Sequence, residues 1–277
     1  MTDTSHSAPG KTAGRGGPLA AVLRFAGQQL WAGLFGVLIL SAILVTRAIW
    51  QDDWPLARYD ALVIFAVATQ ALMLACKLET WEEARVILLF HLTGTAMEWF
   101  KVSAGSWSYP EAGVIKLMGV PLFTGFMYAS LGSYIARSIR LYRITLAPFP
   151  PFWAVVVLAV AIYVNFFAHH FLPDIRLALF AGTLLLFWRT RIHVPGRAWA
   201  PRFPAAAVMV AGFLWLAENI GTLTGTWAYA GQSGLDGWQP VRLSLLGSWY
   251  LLFHVAFATV LVVYRDACRP VAAGTDA

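Results

Sequence analysis

The sequence predicts an all-α polytopic membrane protein with about eight transmembrane helices, and three observations support this fold class. Hydrophobic residues make up 59% of the 277 residues and charged residues only 12%, whereas a soluble domain carries about a quarter charged residues. Eight apolar runs are each long enough to approach or exceed the roughly 20 residues that a helix needs to cross a bilayer. The basic residues fall almost wholly between these runs, so topology explains the net charge of +6 and no nucleic acid partner is expected.

Proline clusters and short polar turns divide the apolar runs into separate elements. Pro148, Pro150 and Pro151 precede the fifth run, and a short turn at 172–174 separates the fifth from the sixth. The predicted spans are 28–49, 58–78, 84–104, 120–141, 152–171, 174–190, 203–224 and 243–264. The expected organisation is a disordered cytoplasmic tail over 1–20, one transmembrane domain over 21–266 and a short cytoplasmic tail over 267–277.

The distribution of basic residues orients these spans. With a cytoplasmic N-terminus, fourteen of the 20 Lys and Arg residues lie on the cytoplasmic side and six on the other, as positive-inside sorting requires. Both termini are then cytoplasmic. Glu98 in the third span and Glu218 in the seventh share an orientation, because an even number of spans separates them. The sequence therefore predicts two pseudo-symmetric four-helix halves, about 21–145 and 146–266, related by an axis along the membrane normal.

Two segments, 98–109 and 218–229, repeat Glu, Gly, Trp and Tyr in the same register. A carboxyl group inside an apolar helix is costly and marks a candidate functional site, so Glu98 and Glu218 are predicted catalytic residues. The aromatic residues of the repeat are predicted to bind substrate: Trp107, Tyr109, Trp227 and Tyr229. Two structural alternatives remain open, namely that the rings form an interfacial aromatic belt and that Glu98 pairs with Lys101.

Three further polar residues complete the predicted site. His91 lies two helical turns before Glu98 on the same face and is a third candidate catalytic residue. Asn219 and His254, in the seventh and eighth spans, are candidate substrate-binding residues. A satisfied buried side chain is the structural alternative for each histidine, and no metal or cofactor is predicted, because the spacing lacks the usual helical ligand pairs. The acidic cluster at 79–83 is expected to form a solvated cytoplasmic face.

A family resemblance rests on the segments 78–84, 90–101, 105–111 and 119–134. They resemble the YoaT-like family of bacterial integral membrane proteins, whose function is unknown, and this resemblance implies a multi-pass protein of the bacterial cytoplasmic membrane. The order of a Glu, a Ser- or Thr-x-Gly, an aromatic segment and Gly-Val-Pro-Leu is also similar to membrane carotenoid hydratases and heterodimeric-type lycopene cyclases. That second resemblance implies acid–base chemistry on the C=C bonds of polyisoprenoids.

Three functions are consistent with these residues. The first is a membrane enzyme that protonates, cyclises or hydrates an isoprenoid-like lipid through intramembrane carboxyl groups, with membrane lipids or another apolar small molecule as its partners. The second is a proton- or ion-coupled transporter, because intramembrane acids also mark transport pathways. The third is a scaffold whose repeats only pack helices. Oligomeric state and substrate identity stay open.

Overall fold

The computed structural model describes residues 17–51, 53–230 and 238–265. Residues 1–16 of the predicted tail 1–20 and the whole predicted tail 267–277 lie outside the described residues, while the first helix already begins at Pro18. The chain is mostly helical, and the described part contains nine helices. In chain order these are α1 Pro18–Ala32, α2 Leu34–Ile49, α3 Arg58–Ala75, α4 Trp81–Ser103, α5 Phe123–Tyr142, α6 Phe152–Ala168, α7 Arg176–Phe187, α8 Phe203–Leu223 and α9 Ser244–Val263.

Each predicted span overlaps at least one of these helices, and the first overlaps both α1 and α2, but not all of the helices have the length and apolarity of a span. By these two measures α3, α8 and α9 can each cross a membrane, and α1 and α2 can do so together as a pair bent by 84°. Helix α7 has 12 residues, about 18 Å at 1.5 Å per residue, which is less than the thickness of the hydrocarbon. The mostly helical membrane fold is therefore confirmed, while the count of eight spans and the two symmetric halves stay predictions.

The described ranges also contain six short strands, which were not predicted and which join the loops in pairs. They are β1 Trp107–Ser108, β2 Lys116–Leu117, β3 Val120–Pro121, β4 Thr145–Ala147, β5 Arg191–His193 and β6 Ala228–Tyr229. All three pairs are antiparallel: β1 with β6, β2 with β3, and β4 with β5. The pair β1–β6 matters most for the site, because it connects the two repeated segments.

Helix α5 lies between the two hydrophobic clusters of the molecule. One cluster joins α4 and α5 to helices α6 to α9, and the other joins α2, α3 and α5. The indole of Trp227, from the loop after α8, is packed into the second cluster. The first repeated segment follows α4 and the second follows α8, so both reach the same end of α5.

The acidic cluster at the start of α4 is buried rather than solvated, which corrects the expectation for 79–83. Glu79 is 4% exposed and Glu83 fully buried, and only Glu82 faces solvent. Burial is possible because each buried carboxyl has partners. Glu83 forms an ion pair with Arg140 at 2.8 Å and closes a capping box with Thr80. Glu79 accepts hydrogen bonds from Gln70 and Ser133 side chains.

Candidate functional site

Three side chains hold the carboxyl group of Glu98, which is 3% exposed near the end of α4. Trp107 Nε1 and Tyr109 OH donate to Oε2 at 2.7 and 2.5 Å. Tyr128 OH, from α5, donates to Oε1 at 2.6 Å. Both carboxyl oxygens are therefore occupied by protein donors.

The second carboxyl group, that of Glu218, repeats this pattern near the end of α8. Trp227 Nε1 donates to Oε2 at 3.1 Å and Tyr229 OH donates to the same oxygen at 2.5 Å. In both copies the Trp follows the Glu by nine residues and the Tyr by eleven. Glu218 is half-buried, and no donor among the described residues reaches its Oε1. The two carboxyl sites thus share one architecture but differ in the number of donors.

A tight turn after each helix brings the aromatic residues back to their own glutamate. Gly105 and Gly225 adopt φ values of +68° and +65°, a left-handed conformation that glycine adopts without strain. The chain then enters β1 or β6. Because a left-handed residue at this position reverses the direction of the chain, the rings fold over the end of the helix rather than continuing away from it.

The strand pair β1–β6 joins the two carboxyl sites into one cluster. Trp107 is the register partner of Tyr229, and their rings meet edge to face with centroids 5.8 Å apart. Trp107 bonds Glu98, and Tyr229 bonds Glu218. A change in the protonation or position of one carboxyl group can therefore affect the other through the contact between Trp107 and Tyr229.

Two loop tyrosines of this cluster stay protonated at neutral pH. Burial, followed by the nearby Glu98 carboxyl, raises the pKa of Tyr109 well above its ordinary value. Burial, followed by the Glu218 carboxyl, raises the pKa of Tyr229 in the same way. Both hydroxyl groups therefore remain hydrogen-bond donors to the carboxyl groups.

Two cavities adjoin the cluster, and its tyrosines line both. A cavity of about 520 Å³ is lined by Trp107 and Tyr229 together with polar and basic side chains. A mainly apolar cavity of about 260 Å³ is lined by Tyr128. Neither glutamate is among the described residues that line these cavities. The cavities therefore reach Tyr128 and Tyr229, which bond the carboxyl groups, and not the glutamates themselves.

Of the predicted site residues, the structure brings the two glutamates and the four aromatic residues of the repeat together. Asn219 lies beside them but bonds the backbone: its Nδ2 donates to Trp215 O at 2.7 Å, and its Oδ1 accepts from Val241 N at 2.9 Å. The alternative of an ion pair between Glu98 and Lys101 is not observed among the described residues. Lys101 Nζ lies 3.0 Å from His170 Nε2 instead.

The two histidines do not join the cluster. His91 Nδ1 and Thr95 Oγ1 are buried without a hydrogen-bond partner in the described part of the chain, and both lie against Gly125 of α5. His254 is 2% exposed within an aromatic group of α7 to α9, and its Nδ1 lies 2.8 Å from Tyr250 O. Within the described ranges no group of three or more His, Cys, Asp or Glu residues could hold a metal ion.

Sequence reasoning missed two parts of the site. Tyr128 carries no local signal, because only the packing of α5 against α4 shows that it reaches Glu98. The second is a support beneath the second repeat. Arg58 is 4% exposed and donates to Glu111 at 2.7 Å and to Thr226 Oγ1 at 3.0 Å, while Tyr59 OH donates to Thr226 O at 2.6 Å. These contacts anchor the residue before Trp227 to the start of α3.

Comparison with known proteins gives one family, one curated relative and two similar solved structures of a single protein. A family described as "Protein of unknown function (DUF817)" matches residues 21–257. The uncharacterized protein YoaT of Bacillus subtilis (strain 168) is 43% identical over 241 residues, which cover 86% of this chain and 90% of that protein. Two crystal structures of MvINS, a mycobacterial Insig homolog from Mycobacterium vanbaalenii, are also similar. The first has 21% identity and a TM-score of 0.47. The second, a cross-linked trimer of a cysteine variant, has 22% identity and a TM-score of 0.46. Each of these two matches covers 70% of this chain and 98% of the MvINS chain.

Proposed function

We propose that this chain, which belongs to the DUF817 family of proteins of unknown function, is a membrane enzyme that transfers protons to and from a C=C bond of an isoprenoid-like lipid. The resemblance to the YoaT-like family is confirmed by the 43% identical relative. One observation supports the activity most directly. Each glutamate is hydrogen-bonded to a tyrosine that lines a cavity, Glu98 to Tyr128 and Glu218 to Tyr229.

In this proposal each tyrosine relays a proton between the cavity and its glutamate. When a glutamate is protonated, its own O–H becomes the donor in the hydrogen bond to the tyrosine, and the tyrosine hydroxyl is free to turn towards the cavity. The glutamate then passes its proton to the tyrosine oxygen while the tyrosine hydroxyl gives its own proton to one carbon of the C=C bond. The π electrons form the new C–H bond, and the adjacent carbon becomes a carbocation. General acid–base catalysis of this kind contributes roughly 10²- to 10⁴-fold to a rate.

The other glutamate completes the reaction as the acceptor. Its carboxylate takes the tyrosine proton while the tyrosine oxygen removes a proton from the carbon next to the cation, and the C–H electrons form a shifted C=C bond. The net change is a double-bond migration or, where an internal alkene attacks the cation first, a cyclisation. Aromatic rings of the cluster stabilise the cation through their negative faces.

The membrane arrangement belongs to the same proposal. The protein is a multi-pass protein of the bacterial cytoplasmic membrane with both termini in the cytoplasm, and the carboxyl pair lies near the outer face. The excess of basic residues on the cytoplasmic side supports this orientation. The antiparallel β1–β6 pair supports the two symmetric halves, since a local two-fold axis relates the strands of such a pair.

Deuterium incorporation tests the proton transfer without knowledge of the exact substrate. Purified protein in lipid nanodiscs is incubated in D₂O with the isoprenoid lipids extracted from its host, and mass spectrometry detects lipids that gain non-exchangeable deuterium. We expect incorporation by the wild type, its loss in Glu218→Gln and Glu98→Gln, and a strong decrease in Tyr128→Phe and Tyr229→Phe. Glu82→Gln, which changes an exposed glutamate of α4, is the matched control. Absence of incorporation by the wild type, or full activity of the tyrosine variants, contradicts the proposal.

Proton-coupled transport is the second candidate, and unsatisfied polar groups of α4 favour it. His91 Nδ1 and Thr95 Oγ1 are buried without partners among the described residues and lie on the helix face between the buried Glu83 and Glu98. Such groups can carry protons along a helix. Vesicles that contain the protein and a pH-sensitive dye distinguish the two candidates. Proton flux that His91→Leu abolishes, without deuterium incorporation, supports transport; if neither flux nor incorporation is detected, only the scaffold remains.

A further inference from the structure

We propose that the 520 Å³ cavity binds the anionic head of an amphiphilic lipid, a phosphate or a carboxylate, while the apolar chain of that lipid lies in the neighbouring cavity. The inference rests on the proposed function for the reaction but can be tested by binding alone. It names the class of substrate: a single-chain isoprenoid with an oxyanion head, and not a neutral hydrocarbon.

The first observation is a buried cation without a carboxylate partner. Lys101 is 5% exposed and lines the cavity. Its Nζ lies 3.0 Å from His170 Nε2 and 4.1 Å from the centre of the Phe166 ring. Within the described part of the chain no carboxylate lies within ion-pair distance of it. Buried charges in proteins are paired, and His170 is a neutral acceptor for only one of the three N–H groups of the ammonium. An oxyanion in the cavity satisfies the others.

The second observation is the charge of the cavity as a whole. Besides Lys101, its lining includes Arg176, Arg242 and the two histidines His169 and His170, whereas no Asp or Glu is among the described residues that line it. Arg176 forms an ion pair with Asp174, which is not among the residues that line the cavity. A concave surface of one charge concentrates counter-ions of the other, so the cavity favours an anion.

The third observation is that the two cavities are adjacent. Tyr163 and Leu252 line both of them. The second cavity is lined mainly by apolar side chains of α4, α6 and α9. A lipid whose head contacts Lys101 can therefore extend its chain past Tyr163 and reach Tyr128. The tyrosines that bond the two glutamates would then lie along the first part of the chain, which places the reacting C=C bond near the head.

Binding of matched probes tests the inference. Isothermal titration calorimetry in detergent compares farnesyl phosphate, farnesoic acid, farnesol and inorganic phosphate. We expect at least one anionic lipid to bind about tenfold or more tightly than farnesol, since hydrogen bonds to a charged group are worth that much. Lys101→Gln should remove most of this difference and Lys101→Arg should retain it. Arg85→Gln, an exposed cation on the same helix, should leave it unchanged.

Several outcomes overturn the inference, and they are separable from failure of the reaction. Equal binding of farnesol, or an unchanged preference in Lys101→Gln, excludes a head-group site at Lys101. If inorganic phosphate binds as tightly as the lipids, the cavity is a site for a free anion, and the inference that it binds an amphiphilic lipid is wrong. A preference for an anionic lipid that depends on Lys101 supports the inference even when no deuterium is incorporated. Of the two anionic lipids, the tighter ligand identifies the head as phosphate or carboxylate.

Discussion

Gly221→Ala tests the way in which α8 positions Trp227 against Glu218. A Cβ atom at position 221 would lie 1.8 and 1.9 Å from two atoms of the Trp227 ring, where ordinary contact begins at 3.4 Å. The ring is 5% exposed, so it must move by about 1.6 Å within a packed cluster. Overpacking of this kind costs about 1–3 kcal/mol. The displaced indole also loses its hydrogen bond to Glu218, which is worth about 1 kcal/mol or more.

The net expectation is a decrease of about 1–3.5 kcal/mol in the free energy of unfolding, because the helix-forming tendency of alanine recovers roughly 0.5–1 kcal/mol. Gly212→Ala on the same helix is the matched control. A Cβ atom there meets nothing within 4 Å, so this variant should be more stable than the wild type by roughly 0.5–1 kcal/mol. Reversible unfolding in mixed micelles measures both changes.

A double variant identifies the clash as the cause. When Trp227→Leu removes the ring, Gly221→Ala should add no further loss of stability, so the two changes should be strongly non-additive. Equal stability of Gly221→Ala and Gly212→Ala would refute the reasoning, and so would additive losses in the double variant. Either result would mean that the indole does not occupy the space above Gly221.

Two further predictions concern buried carboxyl groups. Burial raises the pKa of Glu79 above its ordinary value of 4.5, so the stability that its protonated form contributes is present below that value and lost as the pH rises through the folded-state pKa. The stability of Glu79→Gln relative to the wild type should therefore increase as the pH rises above 4.5, as thermal unfolding scans would show, and Glu82→Gln should not reproduce this trend. Glu98→Gln should lose about 1–3 kcal/mol more stability than Glu218→Gln. Donors occupy both oxygens of the Glu98 carboxyl, so the NH₂ group of a glutamine there must face at least one of them. At position 218 the described donors occupy only Oε2, so the NH₂ group can take the place of Oε1. Equal losses in the two variants would contradict that difference.

The helices were predictable because apolar runs and prolines determine where a membrane helix lies. The predicted runs 203–224 and 243–264 differ from α8 and α9 by one residue or less at each end. The bend of 84° between α1 and α2 was not predictable, since hydropathy describes side chains and not the direction of the chain. The run 174–190 is apolar over nearly its whole length, yet α7 ends at Phe187. The remaining residues lead into β5, and that pairing depends on β4, more than forty residues earlier in the chain.

The site was predictable only in its repeated part. Matching registers showed that Glu98 and Glu218 belong to similar segments, and the recurrence of Trp and Tyr showed which neighbours to consider. The sequence did not show that these rings return to their own glutamate. Tyr128 was out of reach for another reason: it comes from a separate helix, and only tertiary packing brings its hydroxyl to Glu98. His254 was selected for its polarity, and its role stays a prediction: its Nδ1 lies against a backbone carbonyl, while its Nε2 is buried without a hydrogen-bond partner in the described part of the chain.

The ladder between β1 and β6 decides whether the repeat makes one site or two. Two independent sites would need only the contacts within each segment, which already saturate Oε2 of each glutamate. The observed register adds a contact between segments, because Trp107 of the first lies opposite Tyr229 of the second. These are also the two side chains of the cluster that line the larger cavity. A ligand in that cavity therefore meets one donor from each carboxyl site at once. The repeat is thus best understood as a single cluster with two unequal carboxyl groups, one fully bonded and one with an oxygen that no described donor occupies.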